Sequence, residues 1–394
     1  MNILFTSSTP FHPLRGGVGR VTDTLCKELQ KRGYQVFYLN ADWGDADQKK
    51  YDYPASVTIL PFENVDEIQS IQLYRKYLID YKIDVVINQD ALFVDFYNNI
   101  GDLPIKVISV IHNNPLINYN HLLNDLLTLR NSSLLERMKR IVRCLLYFRV
   151  KKQLREYIDK RFVNIISSSD KILMLSPYYV ESLKKIGISV ENKFDYVYNP
   201  NSFPLQTSLF KKKKEIIYVG RLDNRSKKVG RLIKVWSKVG KKYSDWNLVI
   251  VGDGPDRNQL EELKKKYKVG NLTFEGFQSP IEYYKRASII CMTSSFEGFP
   301  MVLVEAMQFG CVPIAFDSFE AIRDVIIPEK TGELVKPFKI KDFVNKLSNL
   351  MDNGTKRKIM SDAAFKHVAQ FDVNYIVDKW EVILKSLYLR KYAN

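Results

Sequence analysis

Two parallel β-sheets in succession, each covered by helices, make up the α/β fold class that this sequence predicts. Three observations predict it. Strand-like apolar runs alternate with helical ones from end to end, the pattern of parallel sheets joined by helical crossovers. The 394 residues, 45% of them hydrophobic, suffice for two cores. A stretch rich in turn formers, Asn199-Pro-Asn-Ser-Phe-Pro204, followed by the Lys211–Lys214 run, reads as a linker between the two halves.

In the first half the apolar runs place strands at Ile3–Ser7, Gln35–Leu39, Val85–Asn88, Val107–Ile111 and Lys171–Leu175. After the first of these, Gly16-Gly-Val-Gly-Arg20 opens a helix through Val21, Leu25 and Leu29, and its glycines let the backbone approach a phosphate closely. A dinucleotide-binding dehydrogenase would need a tighter turn and a third spaced glycine, so the loop reads better as a lip of a cleft. In the second half the strands are Ile216–Val219, Leu248–Val251, Leu272–Phe274, Ile289–Met292 and Val312–Ala315. Pro300 suits a first helical residue and Gly310 a helix stop, and a last helix covers Tyr375–Leu389. These assignments divide the chain into a first domain over 1–205, a second over 206–372 and a C-terminal helix over 373–394.

The net charge of +16 has a location. Residues 130–161 hold a run of Lys and Arg, including Arg137, Arg140, Lys151 and Lys152, against only Glu136, Glu156 and Asp159. Leu134, Met138, Ile141, Leu145 and Phe148 recur there at helical spacing. A basic amphipathic helix suits an anionic membrane surface; the competing expectation is a helix packed on the core with a solvated face. No nucleic-acid-binding motif is recognisable, which disfavours that partner. Cys26, Cys144, Cys291 and Cys311 are scattered, without metal-ligand spacing or a disulfide framework, as in a reducing compartment. The start lacks the basic region of a signal peptide and no apolar run approaches the ~20 residues that span a bilayer. The expectation is a cytoplasmic protein, peripheral to the inner face of a membrane if the basic stretch touches it.

The most informative segment is Cys291 to Gly310, which runs from a buried strand end through Phe-Glu297-Gly-Phe-Pro into Met-Val-Leu-Val-Glu305. Glu297 falls in the loop, where a carboxylate can accept from sugar hydroxyls, and Glu305 about a turn and a half into the helix, within reach of a ribose diol. The backbone N–H groups of Gly298 and Phe299 lie between them at an anion-binding helix start. The competing account makes Glu297 a cap and Glu305 a solvated helix residue. Val302, Leu303, Ala306 and Met307 carry the apolar face around Glu305 and leave little room for that. Upstream, Glu215-Ile-Ile-Tyr-Val-Gly-Arg-Leu222 is a buried strand ending in Gly-Arg, and Lys227 follows after a polar turn. Arg221 and Lys227 thus stand at a strand's carboxyl end, where open α/β sheets hold ligands, and can grip a diphosphate as a planar fork and a point charge. Gly252, Asp253 and Gly254 occupy the neighbouring edge as loop structure on the base or ribose side, with packing as the alternative for Asp253. His112 ends the strand Val107–Ile111 in the first half, well placed to touch a sugar.

These segments together resemble the family-4 retaining glycosyltransferases of GT-B fold, the type that builds bacterial surface polysaccharides. The resemblance rests on Glu297-x7-Glu305, on Val-Gly-Arg221-Leu followed by Lys227, on Val-Gly-Asp-Gly-Pro at 251–255, and on Gly16-Gly-Val-Gly19. It covers nearly the whole chain and is more specific in the second half. It implies two Rossmann-like domains facing a central cleft, with the C-terminal helix crossing back to the first. It also implies that Arg221 and Lys227 bind the donor diphosphate, that Glu297 holds the transferred sugar, that Glu305 binds the ribose, and that His112 contacts the donor sugar near the reacting carbon. Gly16 and Gly17 line the same site.

No Asp-x-Asp cluster of the metal-binding kind occurs in the motifs above, and Arg221, Lys227 and the helix start already meet the diphosphate charge, so no metal cofactor is required on this reading. The donor expected is a UDP-hexose or UDP-N-acetylhexosamine, with GDP-mannose a second candidate, and the acceptor a lipid-linked or growing glycan. The alternatives are a phosphorylase or nucleotide-sugar epimerase of the same fold, or a non-catalytic basic membrane-binding protein. The last leaves Glu297, Glu305, Arg221 and Lys227 unexplained.

Overall fold

A computed structural model describes residues 1–7, 16–41, 59–62, 68–91, 96–116, 146–190 and 192–391, with positions 119, 138, 141, 142 and 145 besides. The chain divides into two units, Met1–Tyr198 with Val377–Asn394, and Asn199–Ile376. In the first unit β1 (Asn2–Ser7), β2 (Gln35–Ala41), β3 (Ile59–Phe62), β4 (Val85–Asn88), β5 (Lys106–Ile111), β6 (Lys171–Met174) and β7 (Phe194–Tyr196) form one sheet in the order β3-β2-β1-β4-β5-β6-β7. Every pairing is parallel. Parallel strands are covered on both faces, which is why β1, β4 and β5 read as unbroken apolar runs: Ile3, Leu4, Phe5, Val85, Val86 and Ile87 are all fully buried. The helix Gly17–Lys31 buries Val21, Leu25 and Leu29, spaced four apart on one face.

The second unit repeats the plan with β8 (Lys213–Val219), β9 (Asn247–Val251), β10 (Leu272–Gly276), β11 (Ala287–Met292), β12 (Val312–Phe316) and β13 (Glu333–Val335), ordered β10-β9-β8-β11-β12-β13. Trp236, Trp246, Phe316 and Phe343 share its core with Ile289 and Ile314. The C-terminal helix Val373–Lys391 begins in this unit and ends in the first, where Arg32 reaches Asp378 at 2.6 Å and Glu381 at 2.8 Å and Tyr34 Oη donates to Glu381 at 2.9 Å.

Several details differ from the sequence reading. The strands β3, β7 and β13 were not anticipated: β7 and β13 are three residues long, too few to show a period, and Pro61 interrupts the apolar run of β3. Lys213 and Lys214 belong to β8 rather than to a linker; both are exposed, so the strand's first residues carry no apolar signal. Within the basic stretch, residues 130–137, 139–140 and 143–144 lie outside the described residues. The helix that is described, Tyr147–Ser168, docks through Ile158, Phe162 and Ile165. Met138, Ile141, Leu145 and Phe148, whose spacing suggested a basic amphipathic helix, are exposed, against the core-packed alternative.

This orientation predicts opposite responses from two phenylalanines of one helix. Phe162→Ala, removing a buried ring, should cost about 3–5 kcal/mol in denaturant unfolding of the first unit. Phe148→Ala, at 84% exposure, should change it by less than about 0.5 kcal/mol.

Candidate active site

In the second unit the strand order reverses between β8 and β11, which pair side by side although β9 and β10 separate them in sequence. Open α/β sheets hold ligands outside the carboxyl ends of two such strands. The loops that leave them there, 220–228 and 293–300, carry most of the residues singled out above.

The first loop is set by backbone contact. Gly220 and Gly252 have φ of +147° and +136°, a region that L side chains rarely adopt. A Cβ on Gly252 would lie 2.0 Å from Gly220 O, and one on Gly254 2.7 Å from Leu222 O. The two loops therefore pack main chain on main chain, joined by Gly220 N–H to Val251 O at 3.0 Å and Leu222 N–H to Asp253 O at 2.9 Å. The glycines at 252 and 254 thus serve packing, and Asp253 pairs with Arg257 at 3.1 Å. Between the braced residues, Arg221 stands exposed at the strand end. Its carbonyl accepts from Tyr218 Oη at 3.0 Å, and burial, then the Glu297 and Asp223 carboxylates, raise that phenol well above its ordinary value, so it stays a donor. Burial opposes the charge on Asp223, but hydrogen bonds from Arg225 N–H and Ser226 Oγ and the charge of Arg221 outweigh it and hold the carboxyl below its usual range.

The same loop meets the one that follows β11. Lys227 Nζ lies 2.7 and 2.6 Å from the two carboxylate oxygens of Glu297, and Ser294 Oγ donates to the same carboxylate at 2.7 Å. Ser295 N–H donates to Ser226 O at 2.7 Å and Thr293 Oγ1 to Lys228 O at 3.2 Å. Lys228 takes a left-handed backbone, φ +52°, uncommon for a residue with a Cβ and concentrated at functional sites. Arg231 reaches Ser295 Oγ at 3.0 Å while its guanidinium lies 3.8 Å from the Phe338 ring centre. Two residues named separately from the sequence, Lys227 and Glu297, are thus one ion pair.

Glu305 lies deeper than the sequence suggested. It is fully buried, and its Oε2 accepts from the equally buried Tyr284 Oη at 3.0 Å. The solvated-residue account is therefore excluded, but so is an open carboxylate on a cleft wall. The helix Met301–Gln308 starts one residue after Pro300, whose carbonyl accepts from Leu303 N–H at 2.9 Å. Gly298 and Phe299 accordingly belong to the loop rather than to the first turn, and the Phe299 ring packs edge-on against Phe371.

His112, Gly16 and Gly17 belong to the first unit. There the order reverses between β1 and β4, and Ser7 Oγ donates to Asp90 across that reversal at 2.7 Å. His112 follows β5, next to β4, with its Nε2 against Gln89 Oε1. Burial pushes its imidazole down to about 4 against the opposing pull of Asp90, so the ring is neutral at physiological pH. A Cβ on Gly17 would meet nothing within 4 Å among the described residues, so none of them requires that glycine. Sequence reasoning passed over Tyr218, Ser294, Arg231, Tyr284 and Gln89. Of these only Ser294, in the Thr-Ser-Ser run at a strand end, carried a local signal.

Two family models match the chain: Glycosyltransferase Family 4 over residues 15–200 and Glycosyl transferases group 1 over 203–367. An uncharacterized glycosyltransferase of Haemophilus influenzae is 26% identical over 381 residues, 94% of this chain and 96% of that one. The lipopolysaccharide 1,6-galactosyltransferase of Salmonella typhimurium is 30% identical over 208 residues, 50% of this chain and 56% of the relative. Among solved structures, the apo form of the lipopolysaccharide outer core galactosyltransferase WaaB superposes with a TM-score of 0.71 at 20% identity, covering 98% of this chain and 99% of that chain. HepE of Anabaena in complex with UDP and glucose gives 0.72 at 14% identity, covering 98% and 100%.

The glycine analysis separates two kinds of glycine by experiment. Gly252→Ala should destabilise the second unit by at least about 2 kcal/mol in urea unfolding, from strained φ and a main-chain clash. Gly17→Ala should leave stability unchanged or slightly raised.

Proposed function

The chain belongs to family 4 of the glycosyltransferases with GT-B fold, and on that premise we propose that it transfers a hexose or N-acetylhexosamine from a UDP-sugar, with retention at the anomeric carbon, to a lipid-linked or growing surface-polysaccharide acceptor. The observation that carries this reading is the Lys227–Glu297 pair at the strand reversal, with Arg221 exposed at the end of β8. A lysine and a carboxylate held within hydrogen-bond distance can exchange partners without moving far. A diphosphate offers Lys227 more negative charge than one carboxylate does, so the ammonium turns to it and Glu297 is released to accept from sugar hydroxyls. Arg221 grips the same diphosphate with its planar fork. Glu305 reaches a ribose diol by exchanging the Tyr284 hydroxyl for it.

The chemistry follows from where charge grows. As the bond from the anomeric carbon to the phosphate oxygen breaks, negative charge gathers on the departing diphosphate, where Arg221 and Lys227 stabilise it more than they stabilise the bound donor. The acceptor hydroxyl attacks the same face, its oxygen bonding the anomeric carbon and its proton passing to the departing phosphate oxygen. No protein nucleophile is used and no divalent ion is needed.

Relatives that act on lipopolysaccharide support a surface-glycan acceptor. A lipid-carried acceptor puts the reaction at a bilayer. Among the described residues no helix is long and apolar enough to cross one. Leu145, 80% exposed, and Phe148 stand beside the exposed Arg149 and Lys152, an apolar and cationic surface that fits an anionic membrane.

Arg221→Ala and Lys227→Ala should each lower turnover of a UDP-sugar about ten- to a thousandfold, and Glu297→Gln should lower turnover more than UDP affinity. Activity should survive EDTA; complete loss restored by added metal would reject the metal-free scheme. The full chain should sediment with vesicles of anionic lipid and release as salt rises, since the Debye length falls from about 10 Å at 0.1 M to about 3 Å at 1 M. Arg149→Gln with Lys152→Gln should reduce that binding and leave UDP binding intact; equal binding to neutral vesicles would reject the electrostatic part.

A further inference from the structure

The transfer chemistry leaves one part-buried pair of the first unit unused. His112 follows β5 and Gln89 follows β4, the strand beside it, which brings the imidazole Nε2 within hydrogen-bond distance of Gln89 Oε1. Gln89 is 2% exposed, and its main-chain N–H is held by Thr6 O at 2.9 Å. The other ring nitrogen, Nδ1, is buried and has no hydrogen-bond partner among the described residues.

A glutamine can face an imidazole with its carbonyl or, turned over, with its amide, so it can satisfy either tautomer. The nitrogen left over decides between them. A buried lone pair without a donor costs less than a buried N–H without an acceptor. The proton therefore sits on Nε2, donated to Gln89, and Nδ1 keeps its lone pair. The charged group bearing on the ring is Asp90, beyond the end of β4, which favours an imidazolium. Its carboxylate already accepts from Ser7 Oγ, and a second proton would leave Nδ1–H buried without an acceptor.

We propose that Gln89 is a positioning residue that holds His112 neutral as the Nε2–H tautomer, so that this imidazole offers the transfer reaction a hydrogen-bond acceptor and no exchangeable charge. The proposal rests on the reading of His112 as a contact of the donor sugar. An acceptor nitrogen takes a hydroxyl and rejects a phosphate oxygen, which itself needs a donor.

Nitrogen-15 spectra of the imidazoles in the full chain test the tautomer without any substrate, the His112 signals being those lost in His112→Asn. The expected result is a protonated Nε2 and a bare Nδ1 from pH 8 down to about 5. In Gln89→Glu a carboxylate at Nε2 favours the imidazolium, so the ring's titration should move up into that window and the pH profile of kcat should change with it. Gln89→Met should lower kcat about ten- to a hundredfold, as loss of a histidine's orienting partner does elsewhere, with UDP affinity unchanged. A natural ring carrying its proton on Nδ1, or a titration that Gln89→Glu leaves unmoved, overturns the assignment. Full activity in His112→Asn would instead overturn the reading of His112 as a sugar contact, while the spectra would still decide whether Gln89 holds the ring.

Discussion

The ion pair between Lys227 and Glu297 is the constraint around which the second unit's candidate site is arranged. It joins the loop after β8 to the loop after β11 across the reversal of strand order. Lys228 holds a left-handed backbone beside it, Ser226 and Thr293 lace the two loops together, and Gly252 and Gly254 let a third loop press against Gly220 and Leu222. A partly exposed ion pair contributes only about 0–1 kcal/mol to stability, so the value of this one is positional. It keeps a cation and a carboxylate at one point.

The two units contribute unlike chemistry. The second offers cations and carboxylates, with Tyr218 kept protonated beneath Arg221 by burial and by the negative charges nearby. The first offers neutral polar groups at its own strand reversal: a histidine that burial keeps uncharged, a glutamine bonded to it, and an Asp90 already engaged by Ser7.

How much was legible depended on whether one stretch of chain carried the whole signal. The long central strands were legible because parallel strands buried on both faces must be apolar throughout. β7 and β13 were not, since three residues are too few for a pattern, nor was β3, whose apolar run holds Pro61. Glu297 and Lys227 could each be singled out locally, but their contact spans seventy residues and depends on β8 and β11 becoming neighbours. Leu145 and Phe148 show the opposite failure. Their spacing fits a core-facing stripe and an exposed one equally, and only the docking of the helix through Ile158, Phe162 and Ile165 separates the two.

By itself the sequence determined the fold class, the family and the residue types gathered at the strand ends, because periodicity, glycine placement and short motifs are properties of neighbouring residues. Tertiary structure decided which charges meet, which carboxylate is covered and which side chain faces a histidine. Glu305 looked like an accessible partner until Tyr284 was seen to bond it, and Gln89 carried no signal until β4 lay beside β5. Burial and hydrogen bonding depend on what arrives from elsewhere in the chain, and that is settled only when the sheet has formed.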